Sequence, residues 1–424
     1  MLLLKPKKRI DAIISVPGSK SLTNRALVAS ALAAGTSTLK NASFSSDSEV
    51  MCASLRKFGL RVTADSRRRL LKITGKDPSG ILLPERLALN LQNCGTAMRF
   101  LTAYCCLLNG NSALTGIDRM LNRPIGRLVS ALKSLGADVS CTRKNYPPVR
   151  INASGKKHGL YGGQTYFAAS ESSQFISAIL LAAPYAENDT IISYSQKIPS
   201  QPYILMTLDV MEKFGVKTQK NGNCITVTAG KRYKPCAYTV EPDAGSANYF
   251  FAMAAASKGR IRVKNINRNS KQAECGFIGV LEKMGCNIKY GSNFIECAGP
   301  EKLKGVEVDM NTMPDSVPTL AAIAPFASSA TRITNIANLR YKETDRIAAI
   351  TGEMKKLGVK IDSGRDYISI RPSSPLPGTV RTYDDHRMAM SFAVLGTAAK
   401  GITIDDEKCV VKSFPEFFDL LRTL

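Results

Sequence analysis

Residues 16–35 read VPGSKSLTNRALVASALAAG, and the design of this stretch recurs down the chain. A Pro-Gly turn leads to Ser21 or Thr23, either of which is a suitable N-cap, and an Ala- and Leu-rich helix follows. Apolar residues cover nearly every face of the helix past Arg25, as in a buried helix whose N-terminal end alone is free to meet a ligand. Because Lys20 and Arg25 lie at that end, beside free backbone N–H groups, the stretch predicts an anion site.

Two other interpretations of this stretch are weaker. A phosphate-binding P-loop requires Gly immediately before the Lys, whereas Ser19 precedes Lys20 here. A capped core helix with solvated cations explains the stretch if it is considered alone. The same design returns five more times, however, and the repeat needs its own explanation.

The repeat consists of two interleaved series of helices. Further copies of the polar start and small-residue apolar helix begin at Asn93, Ser170, Asp243, Pro314 and Asp384. Between them lie amphipathic helices that end in Gly and lead into an alternating strand; SLRKFGLRVTAD, from Ser54, is the first, and the C-terminal FPEFFDLLRTL is a truncated sixth. The predicted unit is therefore buried helix, strand, amphipathic helix, strand and strand, six times over.

Six such units predict an α/β (α+β) chain of two similar domains with three units each. The N-terminal strand, residues 2–15, precedes the first buried helix and could close a sheet of the last domain. The expected domains are residues 1–18 plus 240–424 and residues 19–239. The chain would then cross twice between the domains, as in a hinge, and the polar helix starts would line one cleft between them.

Composition narrows the class of protein. Hydrophobic residues make up 44% and charged residues 22% of the 424 positions, as in soluble globular proteins, and no apolar run is long enough to span a bilayer. In the first 13 residues the positive charges follow the leucines, so they do not form a secretory signal. Eleven scattered cysteines without a CxxC pair favour reduced thiols, and we expect a cytoplasmic protein.

The net charge of +24 allows a solvated surface, nucleic-acid binding or attraction of small anions. The basic clusters at residues 5–9 and 67–69 have no interleaved aromatic residues, so we favour a solvated surface for them. We therefore expect small anionic substrates and neither nucleic-acid nor membrane partners. With only His158 and His386, the chain cannot build a His-rich metal site. A site made of carboxylates alone stays open but has no motif, and we expect no metal and no cofactor.

The starts of the buried helices carry the candidate site. If these helices run in the same direction, their N-termini lie on one surface of each domain. Capping explains Ser, Thr, Asn and Asp there, but helix N-termini disfavour Arg and Lys unless an anion binds. The starts contribute Lys20, Ser21, Arg25, Asn93, Gly95, Thr96, Ser172, Ser173, Gln174, Asp315, His386 and Arg387.

Further cations lie in the segments between the repeats. They are Arg123 in LNRPIGRL, the stretch NLRYKETDR at residues 338–346, and Lys412 in VVKSFPEF. In KETDR, the i,i+4 spacing predicts that Lys342 and Arg346 share a helix face, with Glu343 turned about 100° away. A surface helix of ion pairs is an equally good interpretation of this motif on spacing alone.

Seven motifs carry a resemblance that covers essentially the full chain: PGSKSLTNR, NCGTAMRF, RPIGRL, SSQF, KETDR, DDHRMAM and KSFPEF. In order and spacing they resemble the 3-phosphoshikimate 1-carboxyvinyltransferase family of enolpyruvyl transferases. The resemblance implies two inside-out α/β barrel domains, each of three β-α-β-α-β-β units, with the active site between them. It also implies a monomer that uses no cofactor and transfers the carboxyvinyl group of phosphoenolpyruvate to the 5-hydroxyl of shikimate-3-phosphate, on the route to chorismate and aromatic amino acids.

The resemblance also implies the site residues. The shikimate-3-phosphate site would use Lys20, Ser21, Arg25, Ser172, Ser173, Gln174, Ser200, Asp315, Asn338 and Lys342. The phosphoenolpyruvate site would use Lys20, Gly95, Arg123, Gln174, Arg346, Arg387 and Lys412. Hydroxyls and an amide suit a phosphate and ring hydroxyls, and paired arginines suit a carboxylate.

For the chemistry we expect Asp315 to accept the proton of the hydroxyl, with Lys20 and Glu343 as partners in proton transfer. Which of these two protonates the methylene carbon stays open. His386 either orients its neighbour Arg387 or has a structural role. Cys94 and Phe100 depart from the small residue and the Pro or Leu usual in the family. Both flank the phosphoenolpyruvate pocket that the resemblance implies, so the resemblance implies the reaction but not the affinity for phosphoenolpyruvate or for the family's inhibitor glyphosate.

Two alternative functions remain. UDP-N-acetylglucosamine enolpyruvyl transferases share the fold and the donor but carry a reactive Cys on a loop, and the matching stretch here, GIDRMLNRPIG, has none. An RNA-end-processing protein of similar repeats would bind RNA in a salt-dependent way. It would leave the cations of KETDR and DDHR without an assigned anion. A purely structural repeat does not explain cations at helix N-termini.

Overall fold

The computed structural model describes residues 1–85, 87–153, 159–168, 172–196 and 198–424. In these ranges the α-helices are α1 (Lys20–Leu32), α2 (Ser46–Lys57), α3 (Gly95–Cys105), α4 (Asp118–Leu121), α5 (Gly126–Ser134), α6 (Gln174–Ala182), α7 (Pro202–Lys213), α8 (Ala244–Ala256), α9 (Phe277–Lys283), α10 (Val317–Ile323), α11 (Arg346–Lys356), α12 (His386–Ala398) and α13 (Phe417–Arg422). The strands are β1 (Leu2–Leu3), β2 (Asp11–Ile14), β3 (Gly35–Lys40), β4 (Arg61–Asp65), β5 (Leu70–Gly75), β6 (Leu87–Asn90), β7 (Asn111–Thr115), β8 (Val139–Arg143), β9 (Tyr146–Asn152), β10 (Gly163–Phe167), β11 (Thr190–Tyr194), β12 (Gln219–Asn221), β13 (Cys224–Val227), β14 (Ala237–Thr239), β15 (Arg260–Lys264), β16 (Asn287–Tyr290), β17 (Phe294–Ala298), β18 (Glu307–Asp309), β19 (Thr331–Thr334), β20 (Ile361–Ser363), β21 (Ile368–Ile370), β22 (Gly378–Val380) and β23 (Ile402–Ile404).

The six apolar helices predicted from the repeat are α1, α3, α6, α8, α10 and α12. Residues 22–32 of α1 and 244–255 of α8 are buried around the whole helix, because small and aliphatic side chains allow packing on every face. Helix α3 contacts α1 and α6, and α8, α10 and α12 contact one another. The repeat thus builds two cores, each around three buried helices.

The cap of α1 differs from the expectation. The helix begins at Lys20, and its N-cap is Ser19, whose side chain accepts a hydrogen bond from the Leu22 N–H at 3.5 Å. Ser21 and Thr23 therefore lie inside the first turn, where Thr23 Oγ1 donates to the Ser19 carbonyl at 2.8 Å. The prediction of a cap at Ser21 or Thr23 is wrong because the turn before the helix already ends at Ser19.

The second helical series is α2, α5, α7, α9 and α11, with α13 as the shortened last member. Each of the first five is followed by a Gly with positive φ, for example Gly59 at 79° and Gly285 at 98°. Glycine adopts this left-handed conformation without the Cβ clash that other residues meet, so it ends the helix and turns the chain toward the next strand. This is the arrangement that the sequence predicts.

The strands form six sheets, one for each repeat. The strand orders are β14-β3-β5-β4, β6-β7-β9-β8, β10-β11-β13-β12, β16-β17-β15-β2, β18-β19-β21-β20 and β1-β23-β22. Each of the first five consists of one parallel pair and two antiparallel pairs. The last has three strands because the chain ends in α13 instead of a hairpin.

The chain divides into two compact units, residues 1–17 with 241–424 and residues 18–240. Two strands, β2 and β14, each pair with a sheet of the unit that does not contain the helix following them, and this accounts for the division. Strand β2 precedes α1 but pairs in parallel with β15, and β14 precedes α8 but pairs in parallel with β3. The chain consequently passes between the units twice, after Pro17 and after Val240.

The N-terminal segment is two short strands and not one strand over residues 2–15. β1 pairs with β23 and β2 with β15, both in the unit that contains residues 241–424. Between them, Pro6 has no N–H to donate and Arg9 has a φ of 41°, and both interrupt a strand. Among the described residues, no helix is long and apolar enough to cross a membrane.

Candidate active site

A group of six charged side chains surrounds Asp315 in the unit formed by residues 1–17 and 241–424. We call it the Asp315 cluster; its members are Asp315, Lys342, Glu343, Arg346, Asp385 and Arg387. Oδ1 of Asp315 lies 3.1 Å from Lys342 Nζ and 3.0 Å from Arg346 Nη1. Oδ2 lies 3.0 Å from Arg387 Nη2. One carboxylate therefore contacts three cations from two separate segments, residues 342–346 and the start of α12.

Helix starts place three of these side chains, and for Asp315 and Arg387 this is what the sequence predicts. Asp315 lies in a 3₁₀ turn, Pro314–Ser316, that leads directly into α10. Arg346 is the first residue of α11 and Arg387 the second of α12. Because α10 and α12 pack together, their polar starts meet.

The helix expected over KETDR is absent. A 3₁₀ helix, Ala337–Tyr341, is followed by Lys342, whose backbone is extended, and α11 begins only at Arg346. Asp345 is the N-cap, since its Oδ1 accepts from the Ala348 N–H at 3.1 Å. Lys342 and Arg346 therefore do not share a helix face, and they meet through their common partner, Asp315.

Arg346 is the buried centre of the cluster, with 1% of its side chain exposed. Its Nε and Nη2 donate to the two oxygens of Asp385 at 2.8 and 3.1 Å, and Nη2 also donates to Glu343 Oε2 at 2.8 Å. Burial lowers the pKa of Arg346, but Asp385, Glu343 and Asp315 outweigh it, and the net shift is upward. The guanidinium is thus fixed in position and charged.

The same cations control the ionisation of Asp315. Burial works to raise its pKa, but Arg387, Lys342 and Arg346 together hold the pKa well below the usual range, against a small opposing contribution from Glu343. Asp315 is consequently a carboxylate at neutral pH. It can accept hydrogen bonds and protons, and its basicity depends on how closely the three cations approach.

Other predicted residues lie around this cluster. Arg387 Nη1 donates to the Tyr249 hydroxyl at 3.3 Å, and burial raises the pKa of Tyr249 to about 12. His386, the first residue of α12, is 1% exposed, with Nδ1 at 4.0 Å from Asp385 Oδ1. Lys412 is buried at the end of a 3₁₀ helix. Burial raises the pKa of Asp384, and the positive charge of Lys412 opposes this rise only in part.

Asn338 is the remaining predicted residue of this unit. It lies in the 3₁₀ helix before Lys342 and is 9% exposed. Its Oδ1 is buried and has no hydrogen-bond partner among the described residues. Since a buried amide oxygen without a partner is unfavourable, this oxygen is suited to accept a hydrogen bond from a hydroxyl donor.

In the unit formed by residues 18–240, Lys20 forms an ion pair with Asp47. Lys20 Nζ lies 2.8 Å from Asp47 Oδ2, and Asp47 is almost fully buried near the start of α2. Cys94 links this pair to α3: its Sγ donates to the Asp47 carbonyl at 3.6 Å and accepts from the Ala97 N–H at 3.4 Å. Cys94 is thus the N-cap of α3.

Arg25 is enclosed by the protein. Only 1% of it is exposed, and its guanidinium donates to Thr207 Oγ1 at 2.8 Å and to the Ser21 carbonyl at 3.0 Å. The Phe100 and Tyr203 rings lie 5.2 and 5.6 Å from its Cζ. Arg25 and Ser21 lie on the same side of α1, as predicted, and Phe100 contacts Arg25.

Gly95 lies against two arginines. A Cβ at this position would be 2.7 Å from Arg123 Nη2 and 2.9 Å from Arg99 Nη1. Arg123 Nη1 donates to the Asn93 carbonyl at 3.4 Å, and Gln174 Nε2 donates to Thr96 Oγ1 at 3.3 Å. The starts of α3 and α6 therefore bring Gly95, Arg123 and Gln174 together.

The predicted serines lie at two further helix starts. Ser173 is the N-cap position of α6, and Ser172 Oγ accepts from the Gln174 N–H at 3.2 Å. Ser200, just before α7, is largely buried and has a φ of 59°. Ser170, where the third repeat was expected to begin, and His158 lie outside the described residues.

Two partners of the predicted cations and one aromatic hydroxyl were not predicted from the sequence. They are Asp47, Asp385 and Tyr249. Asp385 lies in the quoted motif DDHRMAM, directly before the N-terminus of α12, and that position was its only signal. Asp47 lies in the first turn of α2. Among the described residues, no group of three or more His, Cys, Asp or Glu side chains is placed to hold a metal ion.

The chain is similar to known proteins over nearly its whole length. The model of the family described as EPSP synthase (3-phosphoshikimate 1-carboxyvinyltransferase) matches residues 4–421. The chain is similar to a 3-phosphoshikimate 1-carboxyvinyltransferase of a Nostoc species, with 42% identity over 411 residues, 96% of this chain and 95% of that one. The Cronobacter sakazakii protein of the same name is 43% identical over 427 residues, 100% and 98% of the two chains. The structure of EPSP synthase from Acinetobacter baumannii has a TM-score of 0.82 and 28% identity, covering 99% of this chain and 97% of that one.

Proposed function

The chain belongs to the EPSP synthase family, and from this premise we propose that it transfers the enolpyruvyl group of phosphoenolpyruvate to the 5-hydroxyl of shikimate-3-phosphate. A proton adds to C3 of phosphoenolpyruvate while the hydroxyl oxygen, losing its own proton, bonds to C2. Phosphate then leaves from C2 as a proton leaves C3, which restores the double bond. Both substrates are anions, in agreement with a net charge of +24.

The observation that carries this proposal is the contact of Asp315 with three cations. These contacts keep its pKa low, against the effect of burial. A substrate carboxylate or phosphate that binds Lys342, Arg346 or Arg387 is a second anionic partner for these cations. It therefore weakens their electrostatic effect on the pKa of Asp315. Substrate binding would therefore make Asp315 a stronger base, ready to accept the proton of the 5-hydroxyl.

We assign the phosphoenolpyruvate carboxylate and phosphate to arginines and lysines. Arg387 supplies a planar guanidinium group, which matches a carboxylate in two-point geometry. In Arg346 the two-point edge is held by Asp385, so it is Nη1, bonded to Asp315 here, that it offers to the substrate. Lys412 and Lys20 supply ammonium groups, and Arg123 and Gln174 lie beside Gly95, at the start of α3. A site with several fixed cations also stabilises the charge that develops on the leaving phosphate.

We assign shikimate-3-phosphate to the hydroxyl and amide groups. Its phosphate would meet Ser172, Ser173 and Gln174 at the start of α6, where backbone N–H groups favour an anion. Its ring hydroxyls would meet Asp315, Lys342 and the unpartnered Oδ1 of Asn338. The other residues assigned to this substrate are Lys20, Ser21, Arg25 and Ser200. Because the Arg25 guanidinium is enclosed, its role would be to hold Ser21 in place.

Proton transfer at C3 has two candidates. Glu343 is largely buried and bonded to Arg346 Nη2, and Lys20 is bonded to the buried Asp47. Each is an acid–base group held by a partner of opposite charge. We propose that both take part in proton transfer, with Asp315 acting on the hydroxyl.

We propose a cytoplasmic monomer that uses no cofactor and binds no nucleic acid. The scattered cysteines and the absence of aromatic residues among the basic clusters support this. Size-exclusion chromatography with light scattering would detect a dimer, which would contradict the monomer.

The function is tested by following phosphate release from phosphoenolpyruvate. We expect release only when shikimate-3-phosphate is also present, and mass spectrometry should find a product heavier by one carboxyvinyl group. UDP-N-acetylglucosamine serves as the matched alternative acceptor. Release with the UDP-sugar and not with shikimate-3-phosphate would overturn the proposal.

A further inference from the structure

Glu353 is a buried carboxylate outside the proposed substrate sites. It lies in α11, seven residues after Arg346, and its side chain is fully buried. A spacing of seven residues places two side chains on the same face of a helix. Both side chains contact the segment Arg381–Asp385, which leads into α12.

The Glu353 carboxylate makes three hydrogen bonds. Oε2 accepts from the Arg381 backbone N–H at 3.0 Å, and Oε1 accepts from the Tyr383 hydroxyl at 2.6 Å. Lys356 Nζ, on an exposed side chain, lies 2.7 Å from Oε1. Burial and the bond to Glu353 raise the pKa of Tyr383 to about 12, so its hydroxyl remains a donor at neutral pH. Two of the three bonds therefore hold the segment before α12.

This segment has an unfavourable backbone. Tyr383 and Asp384 are consecutive residues with φ of 58° and 54°, in the left-handed region that a Cβ disfavours. Such a conformation persists only when neighbouring contacts impose it. Glu353 supplies contacts on one side, and Asp405 Oδ1 accepts from the Thr382 N–H and hydroxyl at 2.9 and 2.8 Å.

The residue that follows the segment's left-handed turn is Asp385. Its carboxylate accepts two bonds from Arg346 and one from the Arg387 N–H at 2.9 Å. Asp385 thus fixes Arg346 and also caps the helix that carries Arg387. Its position depends on the path of residues 381–384.

From these contacts we propose that Glu353 is a positioning residue for the phosphoenolpyruvate arginines: it holds the Arg381–Asp384 turn so that Asp385 fixes Arg346 and the start of α12. This inference rests on the proposed function for its consequence in catalysis. Its structural part, the hold on the turn, can be tested without substrate.

Kinetics with each substrate test the consequence. We expect Glu353→Ala to raise the KM for phosphoenolpyruvate about tenfold, which corresponds to about 1.4 kcal/mol, with the KM for shikimate-3-phosphate within about twofold of wild type. Tyr383→Phe removes one bond and should raise the same KM by about threefold. Glu353→Gln retains an acceptor for the Arg381 N–H and a partner for the Tyr383 hydroxyl, so it should recover most of the loss. Lys356→Ala, which removes a contact of the same carboxylate outside the turn, should change neither KM.

Hydrogen–deuterium exchange of the substrate-free protein tests the structural part. Residues 381–387 should exchange faster in Glu353→Ala than in wild type or Lys356→Ala. If wild type releases no phosphate, this readout still decides the role of Glu353 in the turn. Unchanged exchange of residues 381–387 in Glu353→Ala would overturn the proposal. With an active wild type, a lower kcat in Glu353→Ala with both KM values unchanged would also overturn it. If Glu353→Ala does not fold, the same exchange and kinetic measurements on Tyr383→Phe test the proposal.

Discussion

Arg346 and Asp385 form a two-point ion pair that is almost completely buried: Nε donates to Oδ2 at 2.8 Å and Nη2 to Oδ1 at 3.1 Å. Burying two charges is costly unless geometry and further hydrogen bonds compensate. Here Asp315 and Glu343 accept the remaining bonds of the guanidinium. The pair therefore fixes the Nε–Nη2 edge of Arg346, and Nη1 is directed toward Asp315.

Arg346→Lys should damage both stability and activity. Lysine keeps the charge but cannot make the two-point contact, so Asp385 loses a buried charge-assisted bond. We expect the free energy of unfolding to fall by about 2–3 kcal/mol, and kcat/KM for phosphoenolpyruvate to fall about 100-fold or more. Urea unfolding and steady-state kinetics measure the two effects. The control is Arg332→Lys, at an exposed pair with Glu307, which should change stability by less than about 0.5 kcal/mol.

Stability should depend on pH through Asp315. Its pKa in the folded protein is lowered from an ordinary value of 3.8, because three cations outweigh the effect of burial. A lowered pKa means that the ionised group stabilises the fold above the ordinary value, and that this contribution disappears as the pH falls toward the folded-state pKa. Below about pH 4, the unfolding free energy of wild type should thus fall relative to that of Asp315→Asn. A difference that is constant from pH 7 to 2.5 would contradict this.

Gly95→Ala should weaken phosphoenolpyruvate binding selectively. The added Cβ would lie 2.7 Å from Arg123 Nη2, closer than contact distance, so that the guanidinium must move. We expect the KM for phosphoenolpyruvate to rise about tenfold or more, about 1.4 kcal/mol, with a smaller change for shikimate-3-phosphate. Gly80→Ala is the control, because a Cβ there meets nothing within 4 Å. Equal effects of the two substitutions would exclude this account.

Cys94 gives a prediction on helix capping. Its Sγ is a weak acceptor for the Ala97 N–H, and a Ser hydroxyl caps more strongly. Unfolding free energies should therefore rank Cys94→Ser at or above wild type, and Cys94→Ala lower by about 0.5–1 kcal/mol. Cys141, which caps no helix, should show no such order between its Ser and Ala variants. The reverse order at Cys94 would mean that the thiol is retained for packing alone.

The periodic part of the fold could be predicted from the sequence. Six polar starts before small-residue helices, and five helices that end in Gly, come from local preferences repeated along the chain. Gly59 is an example, because a single residue determines the turn after α2. The helix starts that carry Asp315 and Arg387 were likewise predicted, because each motif contains its own start.

Details that depend on distant segments could not be predicted. The i,i+4 spacing of Lys342 and Arg346 suggested one helix, but the cap at Asp345 begins α11 later. Asp47 is 27 positions from its partner Lys20, and Asp385 is 39 from Arg346, so spacing gave no sign of either pair. Gly95 was predicted as a residue of the phosphoenolpyruvate site, but nothing in its motif showed that the Arg123 guanidinium, from a separate segment, lies against it.

The most direct test of the central claim is phosphate release by Asp315→Asn in a single turnover with both substrates present. Asparagine keeps the size of the side chain and one acceptor oxygen, replaces the other oxygen by an NH2 donor, and cannot accept the hydroxyl proton at neutral pH. Glu301→Gln, an exposed carboxylate paired with Lys258, is the matched control. The account predicts a loss of at least about 1,000-fold in the rate for Asp315→Asn, about 4 kcal/mol, with the control unchanged. Wild-type rates in Asp315→Asn would contradict it.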